Sequence, residues 1–428
     1  MDAALGSPAI TALAERHSRG AARDAVRAAL ERRRRGGEGP EGLADEVAGA
    51  LRPSLRRAIN ATGVALNTNL GRAPLAEEAI EAARQAAGYA TLEWTPATGE
   101  RGSRHDHLEG HLTALTGAEA GCAVNTNAGA VLLALAVFAA GRETLVSRGQ
   151  LVEIGGGFRV PEILAASGSR LVEVGTTNRT RLADYERAIG PETAAILRVH
   201  PSNFRQLGFT EEAPLDELAA LARERGLALI DDLGSGALGP DAIFGDEPDA
   251  RTSVGAGCDL ACFSADKLLG GPQAGILVGT AAAVARAKAH PLMRALRLDK
   301  LRLAALEATL ALHRDPALAR VRVPALAMLS GDRASRRRWA GTLAAAIGGE
   351  AVDTVGRVGG GALPLAELPS AAAALPDPRP DDLAARLRLG EPAVAARIHD
   401  GRVLLDVLAL SAADLEELPA LVARARAG

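Results

Sequence analysis

Lysine is rare in this chain, and one lysine stands where amine chemistry would be useful. Only three of the 49 basic residues are lysine, and Lys267 lies between a short apolar segment and a glycine-rich turn that ends at Gly275. A guanidinium stays protonated and forms no Schiff base, whereas a lysine amine can bind a carbonyl carbon covalently. Lys267 is therefore a candidate for holding a carbonyl cofactor; the alternative is an ordinary exposed loop lysine.

The elements that would position Lys267 alternate between short apolar strands and helices from about Ile59 onward. Strands are predicted at Gly121 to Val124, Thr144 to Ser147, Arg170 to Val174, Ala194 to Val199, Ala228 to Ile230, Leu260 to Ser264 and Gly275 to Val278, with helices such as Ala128 to Ala140 and Pro214 to Arg225 between them. This alternation is typical of a doubly wound α/β domain. Ligands bind such sheets at the carboxyl ends of the strands, so the residues after each strand are the candidates for a site.

Polar residues at the ends of four of these strands fit a single cofactor. They are Asn127-Ala128-Gly129 near the end of the first strand, His200 and Asn203, Asp231-Asp232, and Ser264. Backbone N–H groups at the start of a helix bind phosphate, and a carboxylate keeps a pyridinium nitrogen protonated. Each could instead be an ordinary cap. Their order along the chain fits the large domain of fold type I (aspartate-aminotransferase-like) enzymes, and predicts pyridoxal 5'-phosphate on Lys267, with Ser264 near the phosphate.

Composition narrows the class of protein. A net charge of −3 over 428 residues excludes a uniformly basic nucleic-acid coat, although not a local basic patch. Cys122, Cys258 and Cys262 show no metal-ligand pattern and indicate a reduced protein with buried thiols rather than a zinc site. The longest apolar run, Ala128 to Ala140, is too short to cross a bilayer. We expect a cytoplasmic protein without a membrane, DNA or metal partner.

The chain divides into three predicted parts. Residues 1–57 hold 11 arginines against eight acidic residues, including Arg32 to Arg35, and a glycine-rich hinge at Gly36 to Pro40. Their apolar spacing predicts a small helical module with a basic face, although a solvated helix end would explain the charge run equally well. Residues 58–300 are predicted to form the large cofactor-binding domain. Residues 301–428 are predicted to form a linking helix and a small C-terminal α/β domain without separate chemistry. Its predicted elements include two antiparallel strands, Ala395 to Ile398 and Arg402 to Leu408, and a closing helix, Ala412 to Ala427.

Longer strings resemble one family. They are Thr68 to Ala73, Ser147 to Gly149, Leu151 to Gly156, Val174 to Thr180, Asp232 to Gly236, Asp266 to Gly275 and Arg294 to Arg297. From about Ile59 to Leu408 the chain closely resembles bacterial selenocysteine synthases, the L-seryl-tRNA(Sec) selenium transferases. A generic aminotransferase would share the lysine and an acid but not these strings.

The resemblance implies a reaction and an assembly. The reaction converts seryl-tRNA(Sec) to selenocysteyl-tRNA(Sec) with selenophosphate, by β-elimination to a dehydroalanyl-tRNA and addition of selenium. The assembly is a homo-oligomer of dimers that form a decamer, with active sites at dimer interfaces and tRNA bound by the N-terminal module.

The resemblance also assigns residues. It places the covalent lysine at Lys267, the ring acid at Asp232 rather than Asp231, and anion-binding guanidinium groups at Arg72, Arg294 and Arg297. Arg294 and Arg297 are one helical turn apart, a spacing that suits an oxyanion but is also common in surface pairs.

Several points stay open in the sequence. The chain has Asn67, Gln150, Trp94-Thr95 and Ala265 where the family pattern has His, Glu, a Tyr-Asp pair and Gly. The acid that protonates the departing hydroxyl is His105, His200 or the cofactor phosphate. Two other functions compete: a pyridoxal-phosphate β- or γ-lyase acting on a free amino acid, and a catalytically silent RNA-binding protein.

Overall fold

The computed structural model describes residues 2–36, 42–154 and 157–427, so residues 37–40 of the predicted hinge and the motif glycines Gly155 and Gly156 lie outside the described residues. The chain forms two compact units. The smaller comprises the residues up to Ala58 together with 391–393, and the larger comprises 59–390 and 394–428.

The smaller unit is helical, as its apolar spacing predicts. Its helices are α1 (Asp2–Leu5), α2 (Pro8–Arg16), α3 (Arg19–Gly36) and α4 (Leu43–Leu51). Ile10, Val26 and Val47 are among the buried residues of its small core. Arg32 and Arg33 of α3 both pair with Glu46 of α4, at 2.8 and 2.7 Å. Two of the four arginines of the basic run therefore connect helices within the unit.

The remaining elements alternate strands and helices. The strands are β1 (Ala58–Asn60), β2 (Trp94–Thr95), β3 (Glu100–Arg101), β4 (Ala120–Val124), β5 (Glu143–Ser147), β6 (Glu153–Ile154), β7 (Phe158–Arg159), β8 (Arg170–Val174), β9 (Thr193–Val199), β10 (Ala228–Gly234), β11 (Leu260–Ser264), β12 (Gly275–Gly279), β13 (Glu350–Arg357), β14 (Glu367–Pro376), β15 (Ala393–Ala395), β16 (Arg397–His399) and β17 (Arg402–Asp406). The helices are α5 (Glu77–Ala86), α6 (Asp106–Thr116), α7 (Asn127–Ala139), α8 (Val160–Ala166), α9 (Leu182–Ala188), α10 (Leu215–Arg225), α11 (Ala250–Ala256), α12 (Ala281–Ala289), α13 (Pro291–Leu296), α14 (Lys300–His313), α15 (Pro316–Arg322), α16 (Pro324–Ser330), α17 (Arg333–Ile347), α18 (Pro380–Leu389) and α19 (Ala412–Ala427). None of the helices in the described ranges is long and apolar enough to cross a membrane.

A seven-stranded sheet forms the centre of the larger unit. Its strand order is β4-β12-β11-β10-β9-β5-β8, and only β12 runs antiparallel to its neighbours. Strands β4, β10, β11 and β12 are buried along their whole length, which is expected of a sheet covered by helices on both faces. The predicted doubly wound α/β domain is confirmed. The predicted end of β10 was wrong, because the strand continues from Ile230 to Gly234 and contains both Asp231 and Asp232.

A smaller antiparallel sheet lies in the C-terminal part of the chain. Its order is β13-β14-β17-β16, and its core is formed with helices α17, α18 and α19. The two antiparallel strands predicted before and after Gly401 correspond to β16 and β17. The predicted closing helix corresponds to α19.

Two glycines bring the loops of the large sheet together. A Cβ on Gly275 would lie 2.0 Å from the carbonyl oxygen of Thr126, and one on Gly236 would lie 2.2 Å from that of Ser264. Both distances are far below van der Waals contact, so only glycine permits these approaches. The turns after β4, β10 and β11 are thereby held at one edge of the sheet.

We predict that Gly275→Ala lowers the midpoint of thermal unfolding by about 5 °C or more, because a few kcal/mol are lost when a methyl group meets a fixed backbone. Circular dichroism during heating measures the effect. Gly255→Ala is the matched control, because Gly255 lies in α11 with open space around its Cβ position. Its midpoint should stay unchanged or rise, since alanine favours helix. Equal midpoints for the two variants would contradict the packing argument.

Candidate active site

Lys267 is buried at the carboxyl edge of the large sheet. It follows β11, its exposed fraction is 5%, and its Nζ donates to the carbonyl oxygen of Gly361 at 3.4 Å. Burial lowers the pKa of Lys267, and the positive charge of Arg72 lowers it further, against the opposing charges of Asp266 and Asp232. The exposed-loop alternative was therefore wrong. A lowered pKa increases the fraction of neutral amine, which is the form that acts as nucleophile or base.

Asp232 is a buried acid of the type that keeps a pyridinium nitrogen protonated. It is 2% exposed, and its Oδ1 accepts a hydrogen bond of 2.7 Å from Nδ2 of Asn127. Burial raises the pKa of Asp232 to about 6, while the hydrogen bond from Asn127 and the charge of Lys267 lower it. The sequence prediction placed Asn127 near a phosphate; in the structure its side chain contacts the acid instead.

Asp231 serves the fold rather than the site. Adjacent residues of a strand point to opposite faces, so Asp231 and Asp232 face different sides of the sheet. The Asp231 carboxylate lies 3.0 Å from Nη1 of Arg198, the residue of β9 that pairs with it in the sheet. It also accepts a hydrogen bond of 2.6 Å from Oγ of Ser253. Its bonding capacity is thus used within the core, which leaves Asp232 as the available acid.

The start of α7 provides a more limited anion site than the sequence predicted. Thr126 is the N-cap, and its Oγ1 accepts from the Gly129 N–H at 3.0 Å, so that amide is already bonded. A Cβ on Gly129 would lie 3.0 Å from Oδ1 of Asn125, so packing alone accounts for this glycine. The amides of Asn127 and Ala128 precede the first hydrogen bond within the helix and can face an anion.

Asp266 joins two of the predicted site residues. Its Oδ1 accepts from Ser264 Oγ at 2.6 Å, and its Oδ2 lies 2.8 Å from Nη1 of Arg72. Ser264 was predicted to donate to a phosphate, but its hydroxyl proton is directed to Asp266. Arg72 has a left-handed backbone, with a φ of 64°, and this turn directs its side chain to the lysine loop. Sequence reasoning did not single out Asp266, although its place next to Lys267 was a usable signal.

Arg294 and Arg297 lie at the end of a short helix. Helix α13 ends at Leu296, and Arg297 follows in an extended conformation with a ψ of 144°, so the pair does not continue along one helical face as the spacing argument assumed. The Arg297 backbone bridges to Val124 at the end of β4, and Asn125 N–H donates to the Leu296 carbonyl at 2.8 Å. Both arginine side chains are exposed.

The loop after β9 contains two predicted site residues, His200 and Asn203, and one that was missed, Ser202. The His200 N–H donates to the Asp232 carbonyl at 2.8 Å, which holds the loop beside β10. Ser202 is fully buried, and its Oγ has no hydrogen-bond partner among the described residues. Asn203 is exposed and donates to the Glu153 carbonyl at 3.0 Å, which gives it a role in holding the loop. Of the two residues, Ser202 is the better placed for the site.

Three consecutive glycines complete the surroundings of Lys267. Gly359, Gly360 and Gly361 all have positive φ angles, of 78°, 66° and 82°. A Cβ on Gly361 would lie 3.3 Å from Lys267 Nζ and 3.5 Å from Ser202 Oγ. Residues 301–428, which were predicted to have no separate chemistry, contribute this loop to the surroundings of Lys267, where the Gly361 carbonyl accepts the hydrogen bond of the lysine.

The structure separates the two candidate histidines. Burial, followed by the charge of Lys288, lowers the pKa of His105, and its other charged neighbours are Arg104, Asp106 and Glu109. None of these groups belongs to the candidate site, whereas the backbone N–H of His200 donates to the backbone carbonyl of Asp232.

Gln150, one of the departures from the family pattern, has a structural partner. It is buried, and its Oε1 accepts from the Val199 N–H at 3.0 Å at the end of β9. A carboxylate in its place could accept the same bond, so this substitution preserves the local contact.

Comparisons with known proteins identify related sequences over most of the chain. A family model described as L-seryl-tRNA selenium transferase matches residues 58–411, and one described as selenocysteine synthase N terminal matches residues 1–34. The L-seryl-tRNA(Sec) selenium transferase of Solidesulfovibrio magneticus is 50% identical over 397 residues, covering 89% of this chain and 84% of the relative. That of Hyphomonas neptunium is 46% identical over 440 residues, covering 97% and 95%.

Among solved structures, D-glucosaminate-6-phosphate ammonia-lyase is similar, with a TM-score of 0.60, 22% identity and coverage of 87% of this chain and 97% of that one. At this identity the likeness concerns the fold alone. Together with the strand order of the large sheet, it confirms the predicted fold type I class, with a large α/β domain, a small C-terminal α/β domain and a helical N-terminal module.

The raised pKa of Asp232 gives a pH-dependent prediction for Asp232→Asn. The pKa of Asp232 is raised from its ordinary value of 3.8 to about 6 in the folded chain. Between these two pH values the folded chain binds a proton that the unfolded chain has released, so the stability of the wild type falls as the pH rises through this window. Asparagine does not ionise, so the variant lacks the cost of a buried carboxylate charge. Its free energy of unfolding relative to wild type should increase by up to about 3 kcal/mol between pH 4 and 7. Urea unfolding of the cofactor-free protein measures it.

Asp231→Asn is the matched control, because it removes the partner of Arg198 and should destabilise the fold. A difference between Asp232→Asn and wild type that does not change with pH would show that Asp232 keeps an ordinary pKa.

Proposed function

Since the chain belongs to the L-seryl-tRNA selenium transferase family, we propose that it converts seryl-tRNA(Sec) to selenocysteyl-tRNA(Sec), with selenophosphate as the selenium donor. The observation that carries the proposal is the buried Lys267, with its lowered pKa, inside the part of the chain that the family model matches. A catalytically silent RNA-binding protein would have no use for a buried reactive amine beside a buried acid.

The candidate site fits pyridoxal 5'-phosphate. Buried polar atoms normally have partners, and those without them indicate a place for a polar ligand. Among the described residues such atoms include Ser202 Oγ, Ser235 Oγ and Asn127 Oδ1. We propose that Lys267 holds the cofactor covalently, that Asp232 faces its ring nitrogen, and that the Asn127 and Ala128 amides face its phosphate. His200 remains a proposed cofactor contact. Gly129, Asn203 and Ser264 were also predicted to contact the cofactor, but in the structure each forms a hydrogen bond with another residue of the chain.

The proposed reaction assigns a task to each of the chain's own groups. When bound, the cofactor supplies an electron sink for the carbanion that forms at Cα of the seryl group. The Lys267 amine, with its lowered pKa, removes the Cα proton. The hydroxyl leaves Cβ as water after it accepts a proton. Of the two candidate histidines, His200 is the one whose backbone contacts a site residue, Asp232.

Anion binding falls to the arginines in this proposal. Arg72 is fixed by Asp266 beside Lys267, and its guanidinium fits the phosphate of selenophosphate. We propose that the exposed Arg294 and Arg297 contact the same anion or the tRNA end from the edge of the site.

The family likeness also supports proposals about partners. We propose that residues 1–57 bind the tRNA, with exposed Arg34 and Arg35 at the end of α3 facing its phosphates. We further propose that residues 58–300 and 301–428 act as the large and small domains of a cytoplasmic homo-oligomer, in which dimers form a decamer.

Borohydride reduction tests the cofactor proposal. Protein loaded with pyridoxal phosphate should absorb near the visible range, and reduction should fix the cofactor on Lys267. Lys267→Arg should lose both the band and the label, because a guanidinium forms no Schiff base. Lys288→Arg is the matched control, since Lys288 pairs with Glu109 and an arginine can keep that contact. Peptide mass mapping locates the label, and an unlabelled Lys267 in fully loaded protein refutes the cofactor proposal.

The substrate is tested by incubation with seryl-tRNA(Sec) and selenophosphate, which should yield selenocysteyl-tRNA(Sec). Arg72→Gly should raise the KM for selenophosphate by about tenfold or more while the cofactor band persists, because a charged hydrogen bond contributes about 1.5–3 kcal/mol. Glycine suits the left-handed backbone at this position, so the variant isolates the loss of the guanidinium. Arg84→Ala is the control, because it removes an exposed guanidinium from α5. Alanine is used there because glycine would weaken the helix.

The competing lyase function makes the opposite prediction. It would give turnover of free serine or cystathionine without any tRNA, and removal of residues 1–57 would not affect it. Such turnover, together with no reaction of seryl-tRNA(Sec), would overturn the proposed function.

A further inference from the structure

Glu247 is a buried carboxylate that the proposed reaction has not used. It lies in the loop between β10 and α11, and its side chain is fully buried. Its Oε1 is 3.2 Å from Nε2 of His200, whose side chain is also buried. The distance allows a hydrogen bond, but the ring N–H is not aligned with the oxygen, and neither atom has another hydrogen-bond partner among the described residues. His200 and Glu247 are therefore adjacent and depend on each other.

Arg205 is a charged group that also lies near Glu247. Its Nη2 lies 4.0 Å from Glu247 Oε2 but only 3.0 Å from the exposed carboxylate of Asp246. Arg205 is thus engaged mainly at the surface. A buried carboxylate without a close cation is costly, so Glu247 depends on the neighbouring imidazole of His200 as its polar partner.

The backbone connects this pair to the candidate site. His200 follows β9, and its N–H donates to the carbonyl oxygen of Asp232 at 2.8 Å. The charges that act on Lys267 are those of Arg72, Asp266, Asp232 and Glu247, and the negative charge of Glu247 raises the pKa of the lysine. Glu247 therefore acts on both His200 and Lys267.

We propose that Glu247 is a positioning residue of the active site, which fixes the buried imidazole of His200 in the loop that follows β9. Its charge also favours the protonated state of the Lys267 nitrogen. The role at the lysine rests on the proposed function, whereas the pairing with His200 does not.

A double-mutant cycle tests the pairing in the full-length chain without cofactor. His200→Asn should lower the thermal midpoint strongly, because it leaves the Glu247 carboxylate buried without a partner. Adding Glu247→Gln to that variant should raise the midpoint again, since both groups are then neutral. Glu247→Gln in the wild-type background should not raise it. Equal effects of Glu247→Gln in the two backgrounds would overturn the pairing.

A spectroscopic titration tests the role at the lysine in the loaded protein. The pH midpoint of the lysine–cofactor absorption band should fall by about half a unit or more in Glu247→Gln, because a negative charge near the lysine nitrogen is lost. Glu247→Asp retains the charge and should restore most of the midpoint. Asp246→Asn is the matched control. It removes one negative charge from the residue next to Glu247, whose own side chain is 85% exposed, and its pH midpoint should match that of wild type.

The outcomes separate the two proposals. A midpoint in Glu247→Gln that equals that of Asp246→Asn would overturn the role of Glu247 at the lysine. Absence of the band from the wild-type protein would instead overturn the proposed function and with it the active-site role. The thermal cycle would still decide the pairing with His200.

Discussion

The cost of burying an amine is the constraint on which the candidate site depends. Lys267 has almost no contact with solvent, and burial is the main reason for its lowered pKa. A charged amine in this position needs nearby acids, while a neutral one needs room to react. Asp232 and Asp266 supply negative charge, Arg72 opposes it, and Gly361 leaves the space in front of Nζ open. The net result is a pKa of Lys267 below the ordinary value for lysine.

The alternation of side chains along β10 separates stability from chemistry. Asp231 and Asp232 are neighbours in sequence, but successive residues of a strand face opposite sides. Asp231 forms an ion pair with Arg198 and accepts a hydrogen bond from Ser253, whereas Asp232 accepts hydrogen bonds from the Asn127 amide and the Gly234 N–H and has a raised pKa. One face of the strand therefore holds a satisfied ion pair of the core, and the other holds an acid whose protonation can respond to a ligand. A one-residue shift of register would exchange the two roles.

The sequence predicted the parts of this arrangement that follow from local pattern. Apolar segments located the strands of the large sheet, and the rarity of lysine together with the following turn identified Lys267. It did not predict which side chains meet across large separations. Asn127 and Asp232 are 105 residues apart, and Lys267 and Gly361 are 94 apart. The choice of Ser202 over Asn203, and the burial of Glu247, depend on how loops fold over the sheet edge, for which single-sequence periodicity contains no information.

The arginines show how the same residue type is used in two environments. Arg72 is three-quarters buried and fixed by Asp266, and its backbone adopts a left-handed conformation that only a few per cent of non-glycine residues take. Such strain is tolerated where the surrounding contacts determine the position, here the bond to Asp266. Arg294 and Arg297, in contrast, are exposed at the end of α13. A fixed guanidinium near the lysine and exposed ones at the end of α13 support the anion-binding roles proposed for these three arginines.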